Sequence, residues 1–212
     1  MISLEQVYQA VNLPDFDAPA AHARMAPLGR RMTPPNGTAP RQAGVLALLF
    51  PEDDALQLVL TRRTDTLRGH SGQVSFPGGQ RDPNDDSFMA TALRETCEEL
   101  GVCDPAITII GTLSKMYIPP SNFEVIPTVA YLPARPDFSP NPDEVAEVFT
   151  FPLDSLLDEQ IKVIEDWNFS GTSVPVPFYS IDGHKVWGAT AVMLSELEAR
   201  LRAVIPPEIH KT

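Results

Sequence analysis

Apolar and polar positions fall along this chain in short blocks whose period changes from segment to segment. The longest unbroken apolar run, 45–50, lies in a predicted strand over 44–50. Gln73, Val74, Ser75 and Phe76 alternate polar and apolar, the period of a half-buried strand. Between 87 and 100 the spacing becomes helical: Met89, Leu93, Thr96, Cys97 and Leu100 fall at i, i+4, i+7, i+8 and i+11. Asp86 or Ser87 can cap this helix and Gly101 can end it. Further strands are predicted at 56–63, 107–115, 124–132, 146–151 and 176–181. Further helices are predicted at 3–11, 153–158 and 189–204. Mixed strands with few helices predict an α/β fold, an α/β/α sandwich around a mixed β-sheet.

Residues 13–42 are rich in Pro and Ala and read as an irregular arm. The expected organisation is therefore an N-terminal helix and arm over 1–42 and one compact domain over 43–212. The 22 prolines fall mainly in the arm and loops, where their missing N–H is tolerated.

Composition narrows the function. The chain has 212 residues, enough for one full core, and a net charge of −12. That charge argues against a general nucleic-acid binder, since no basic stripe offsets it. No apolar run is long enough to span a membrane. The first residues lack the basic start and apolar core of a signal peptide, so a cytoplasmic location is expected. The two cysteines, Cys97 and Cys103, indicate no disulfide framework; Cys97 reads as a small core residue and Cys103 as a loop thiol.

The chemistry concentrates in 94–102. Glu95, Glu98 and Glu99 stand at i, i+3 and i+4, which on a helix places them on one face, away from the apolar stripe. Such acids repel one another, and a divalent cation relieves the repulsion; oxygen ligands at this density favour Mg²⁺ or Mn²⁺. The plainer alternative is a solvated acidic face. What precedes the helix shifts the balance. A short strand runs into Phe76, Pro77, Gly78 and Gly79, and a polar loop over 80–86 then leads to the helix. Backbone N–H groups in such a turn can face phosphate oxygens, while nearby carboxylates hold the bridging metal.

With Gly79, Arg94, Glu95, Glu98, Glu99, Gly101 and Val102 in place, the chain resembles the Nudix hydrolases. Their signature is a Gly, a Glu six positions on, and then R-E-U-x-E-E-x-G-U, with U aliphatic. Thr96 departs from the first aliphatic position, the interval 79–94 is one residue longer than usual, and Asp85 stands where the first Glu would be. The coenzyme A pyrophosphatase branch has a comparable loop, with the pattern L-L-T-x-R-S-x-x-L-R-x-H-x-G-x-V-x-F-P-G-G-x-x-D-x-x-D. Here Leu60, Thr61, Arg63, Leu67, Arg68, His70, Gly72, Val74, Phe76, Pro77, Gly78, Gly79, Asp82 and Asp85 match it, and Val59 and Thr64 are conservative departures.

The resemblance implies roles. Glu98 and Glu99 would be the principal metal ligands, and Glu95 a further ligand or an activator of water. Arg94 would orient these carboxylates, and Asp82 and Asp85 would bind metal through water or cap the loop. A further acid is expected from a distant loop, Glu144 first and Glu147 second. Arg63, Arg68 and His70 would meet substrate phosphates or pin the loop by salt bridges. Arg68 in particular is a candidate for reading the 3′-phosphate of coenzyme A. Gly78 and Gly79 would allow close approach. Phe76, Phe149 and Trp187 read as core, while Tyr117, Ser121, Asn122 and Phe123 are candidates for lining a pocket.

The expected function is metal-dependent hydrolysis of the diphosphate of coenzyme A or its derivatives. The products would be adenosine 3′,5′-bisphosphate and 4′-phosphopantetheine or its acyl form. ADP-ribose or NADH is the alternative substrate, and a non-catalytic nucleotide-binding sensor the alternative of another class. The partner is a small molecule, with neither nucleic acid nor membrane involved; monomer and homodimer both stay open.

Overall fold

The computed structural model describes residues 1–27, 33–65, 72–169 and 171–206. Its centre is β1, Arg41–Glu52. The two-residue turn at Asp53 and Asp54, with φ of 49° and 62°, folds β1 back onto β2, Ala55–Arg63. Positive φ at both positions suits the twist of a tight hairpin, and Asp tolerates it. On its other side β1 pairs in parallel with β7, Phe123–Tyr131. The central sheet also contains β3 (Val74–Ser75), β4 (Gly78–Gln80), β5 (Thr108–Thr112), β6 (Met116–Ile118) and β8 (Val145–Pro152). Apart from β1–β7, the pairs in this sheet are antiparallel, so the sheet is mixed, as expected.

The two faces of β1 serve two layers. Leu46, Leu48 and Phe50 pack with Ala92 and Leu100 of α3, Phe88–Leu100. Ala47 and Leu49 belong to the larger core shared with α1 (Leu4–Val11) and α4 (Gly188–Val204). Ser87 caps α3 by accepting from the Ala90 N–H, and Gly101 ends it with φ 70°. A second, three-stranded antiparallel sheet is formed by β9 (Lys162–Phe169), β10 (Thr172–Ile181) and β11 (His184–Trp187).

Several elements differ from the sequence pattern. The stretch read as an irregular arm contains α2, Ala18–Ala23, whose Ala21 and His22 are buried. His22 Nε2 lies 2.6 Å from Glu196 Oε2 of α4. Arg200 of α4 donates to Glu196 and to the Val11 carbonyl at the end of α1. The region 153–158 is a 3₁₀ turn, Leu153–Leu157. Strands β4, β6, β9 and β11 carry no strong apolar period and were not expected.

The cysteine reading is overturned: Cys97 and Cys103 form a disulfide. The left-handed turn at Gly101 reverses the chain, bringing the two Cα atoms to 4.7 Å.

Candidate active site

The site forms where β4 crosses the side of α3. Gly79 is what makes this crossing close. A Cβ placed there would lie 2.5 Å from Glu95 Cδ and 2.5 Å from its Oε2, inside van der Waals contact. Gly78, at φ 150°, turns its N–H toward Glu99 and donates to Oε2 at 3.1 Å. The glycines therefore seat two of the three helix carboxylates directly under the turn.

The carboxylates are not on one open face. Glu98 is exposed, Glu95 is half-buried and Glu99 is only 4% exposed. The buried arc of α3 runs through Ala92, Thr96 and Leu100 and takes in Glu99, while Met89 and Leu93 are half-exposed. The physical reason is the turn itself. Helical spacing alone assigns the acids to solvent, whereas Gly78 and Gly79 cover that side of the helix. Thr96, at the family's aliphatic position, is buried with its hydroxyl donating to the Ala92 carbonyl at 2.7 Å.

Burial pushes the Glu99 carboxyl up to about 7. The Gly78 N–H and the Arg63 charge pull it down, and Glu144 and Glu95 push it further up. Glu95 is also raised, first by burial, against the opposing Arg94 hydrogen bond and with the help of Glu98 and Glu144. Glu144 thus lies within electrostatic reach of both helix acids; its loop is held where the Thr64 N–H donates to the Glu144 carbonyl. Glu147 does not join them. It pairs with Arg62 Nε at 3.2 Å and His184 Nε2 at 3.4 Å.

Arg94 organises the opposite side. Its Nη2 lies 2.9 Å from Glu95 Oε1 and 2.9 Å from Asp85 Oδ2, and its Nη1 2.9 Å from Glu98 Oε2. Asp85 also accepts from the Asp82 N–H and the Thr91 hydroxyl. The Arg94 bonds, with those two donors, hold the Asp85 carboxyl well below the ordinary range. Asp82 accepts from Asn84 within the loop. These bonds brace the loop.

As they stand, no three His, Cys, Asp or Glu side chains among the described residues close into a ready metal cage. Arg94 takes up an oxygen each of Glu95 and Glu98. The donor chemistry nevertheless fits a divalent cation. Carboxylates that raise one another's proton affinity in a half-buried site are carboxylates from which a metal displaces protons.

Arg63 faces this group, with Nη1 3.8 Å from Glu99 Oε1, and it also lines a cavity of about 820 Å³. The cavity begins at Gly78, Gly79 and Gln80 and runs between the central sheet and the three-stranded sheet. Ser121 and Phe123 line it, as the sequence suggested; Trp187, read as core, is a wall instead. Tyr117 is buried and donates to Asn122 Oδ1 at 3.0 Å. Phe149 is half-buried and stacks on His184 at 4.3 Å. Phe169, Val174, Val176 and Met193 also line the cavity, and none was singled out from the sequence. Phe169 ends the polar strand β9, Val174 and Val176 alternate with prolines in β10, and Met193 sits on α4, so no single period marks them as one wall. Arg68 and His70 lie outside the described residues.

A glycine turn flanked by buried and half-buried carboxylates thus opens into a cavity lined mainly by apolar side chains. The chain matches the NUDIX domain over residues 40–170 and belongs to the Nudix hydrolase family. It is 38% identical over 145 residues to the uncharacterised Nudix hydrolase NudL of Photorhabdus laumondii, covering 68% of this chain and 77% of that one. It is 37% identical over 157 residues to NudL of Yersinia pestis, covering 74% and 78%. Among solved structures the fold is shared with RenU, a Nudix hydrolase of M. smegmatis (TM-score 0.54, 19% identity, 84% of this chain and 98% of that one). It is likewise shared with a Nudix hydrolase of Alicyclobacillus acidocaldarius (TM-score 0.55, 16% identity, 83% and 97%). The protein is accordingly a pyrophosphohydrolase, of a family that generally uses divalent metal ions.

Proposed function

We propose that this enzyme hydrolyses the diphosphate of coenzyme A or an acyl derivative, giving adenosine 3′,5′-bisphosphate and the phosphopantetheine half. One observation carries the reading. The cavity that starts at the Gly78–Gly79 turn is walled on its far side by Val174, Val176, Trp187 and Met193. A pantetheine arm, long and only sparsely polar, suits such a wall better than the second ribose of ADP-ribose or the second nucleotide of NADH. The branch-specific pattern over 59–102 supports the same substrate.

Glu95, Glu98 and Glu99, with Glu144 alongside, would hold Mg²⁺ or Mn²⁺. Bound there, the ion would neutralise the diphosphate and lower the pKa of the attacking water. Arg63 supplies a fixed positive charge beside the same oxygens. Arg94, clamped by Asp85, sets the rotamers of Glu95 and Glu98. Glu144 would take the proton of the water, a contribution typically about 10²–10⁴-fold. The apolar cavity strips water from the rest of the substrate.

The test is a hydrolysis panel of coenzyme A, acyl-coenzyme A, ADP-ribose and NADH with Mg²⁺ and with Mn²⁺, products identified by mass. The highest kcat/KM on coenzyme A or an acyl form, with release of the 3′,5′-bisphosphate, is the expected result. A clear preference for ADP-ribose or NADH overturns the substrate.

A further inference from the structure

We propose that Arg41 is a specificity-determining residue of this cavity, receiving the phosphate carried on the ribose of the nucleotide half. This rests on the coenzyme A reading above and goes beyond it by assigning the end of the cavity each half occupies.

Charge is the first ground. In a protein of net charge −12, cations are usually consumed by acids. Arg62, Arg63, Arg94, Arg135, Arg200 and Arg202 each pair with a carboxylate. Arg41, like Arg24 and Arg81, has none within 4.0 Å among the described residues. Its partners are neutral: Nη2 donates to the Ser121 carbonyl at 2.8 Å and Nη1 to Gln80 Oε1 at 3.4 Å. A guanidinium has five N–H donors, so these contacts leave donors over for a ligand.

Position is the second ground. Arg41 sits two residues before Ala43, so both side chains lie on the same side of β1, and Ala43 lines the cavity. Its neighbours Gln80, Ser121 and Phe123 line it as well. Arg41 pairs in register with Phe123, and its guanidinium stacks 4.1 Å above that ring. The charge is thus held at the rim rather than free to wander. Val45, four residues along β1, pairs with Gly78 at the diphosphate turn. Four residues of strand span roughly 13 Å, the scale of one nucleotide.

Contrast between the ends is the third ground. Arg63 is committed near Glu99, at the reacting end. The wall made by β10 and α4 is apolar. Among the described residues, the Arg41 end therefore suits a phosphorylated nucleoside, Arg41 offering a fork to its phosphate and Phe123 a face to its base.

The experiment compares wild type, Arg41→Ala and Arg41→Lys on coenzyme A and dephospho-coenzyme A with saturating Mg²⁺. It also measures calorimetric binding of adenosine 3′,5′-bisphosphate and of AMP. Arg41→Ala should reduce kcat/KM for coenzyme A at least tenfold more than for dephospho-coenzyme A, mainly through KM. Its affinity for the bisphosphate should fall about tenfold relative to AMP, and Arg41→Lys should recover part of both. Equal losses on both substrates, or none, overturn the proposal and leave Arg41 as a brace of the 119–121 turn. If wild type prefers coenzyme A and Arg41→Ala keeps that preference, Arg41 alone is wrong. If wild type does not cleave coenzyme A, the substrate reading fails and takes this assignment with it. Should Arg41→Ala not fold, Arg41→Lys with the binding pair decides the question alone, an unreduced bisphosphate-over-AMP preference together with full coenzyme A discrimination counting against a forked contact.

Discussion

Gly79 and Glu95 are in contact so close that no side chain fits between them: a Cβ at 79 would stand 2.5 Å from the Glu95 carboxyl carbon. Gly79→Ala must therefore move the turn or the carboxylate. Overpacking of this kind costs about 1–3 kcal/mol of stability, but the larger effect should be on turnover. A misplacement of about 1 Å at a reacting centre costs on the order of 100-fold. Steady-state kinetics of Gly79→Ala below its melting temperature checks this; turnover within threefold of wild type would show that Glu95 is not needed in that position.

Metal removal provides a second test. Chelation should abolish diphosphate cleavage, and Mg²⁺ or Mn²⁺ should restore it. Full activity in excess chelator, followed by product mass, would refute the metal role of the α3 acids.

Glu99→Gln should separate stability from activity. Burial already favours the uncharged form of Glu99, so the amide should leave the metal-free protein as stable as wild type or more so. Turnover should fall by several orders of magnitude, because a metal-binding charge is lost. Denaturant unfolding and kinetics on the same sample check both halves; a variant that loses stability and keeps turnover reverses the assignment.

Acid should loosen the contact between the N-terminal helices and α4. Burial alone would raise Glu196, but bonds from His22, Ser114 and Arg200 outweigh it and hold the carboxyl at about 2, against 4.5 when free. A depressed carboxyl stabilises the fold above its unfolded pKa, and the contribution is lost as pH falls. Between pH 4.5 and 2 the loss should reach up to about 3 kcal/mol. The slope of stability against pH in that window should be shallower in Glu196→Gln than in wild type. Parallel slopes would show that Glu196 is not the linked group.

Reduction of Cys97–Cys103 should cost modest stability, since the bridge closes a loop of sequence separation 6. Chain entropy gives about 2 kcal/mol for so short a loop, or roughly 4–8 °C in melting temperature for a protein of this size. Alkylation with and without reductant, read by intact mass, checks that both thiols are tied; two labels without reductant would refute the bridge.

Sequence patterning was most informative where burial repeats. β1, β2, β7, α3 and α4 were legible because each carries an apolar run or a helical apolar spacing over many residues. β9 was not: Lys162, Glu165, Asp166 and Asn168 interrupt its apolar positions, as an edge strand's polar residues do. β4 consists of Gly78, Gly79 and Gln80 and has almost no side chains to read. α2 is short and carries a proline. At the site, the glycine turn and the acids of α3 stood out as a motif. The burial of Glu99 did not, because it comes from a turn folded across the helix rather than from the helix's own period. Arg41 gave no signal, since an exposed Arg on a strand is ordinary until its neighbours are known.

The parallel pairing of β1 with β7 has a consequence for how the enzyme is made. Arg41 reaches 80 residues along the chain to meet Ser121, and the strands register from Arg41–Phe123 through Leu49–Tyr131. Closure over such a distance is slow compared with hairpin formation. During synthesis β1, β2 and α3 emerge first, leaving one edge of β1 unpaired until β7 leaves the ribosome. Nascent chains cut short before residue 123 should therefore be prone to aggregation, while chains extended past 131 can complete the sheet's centre.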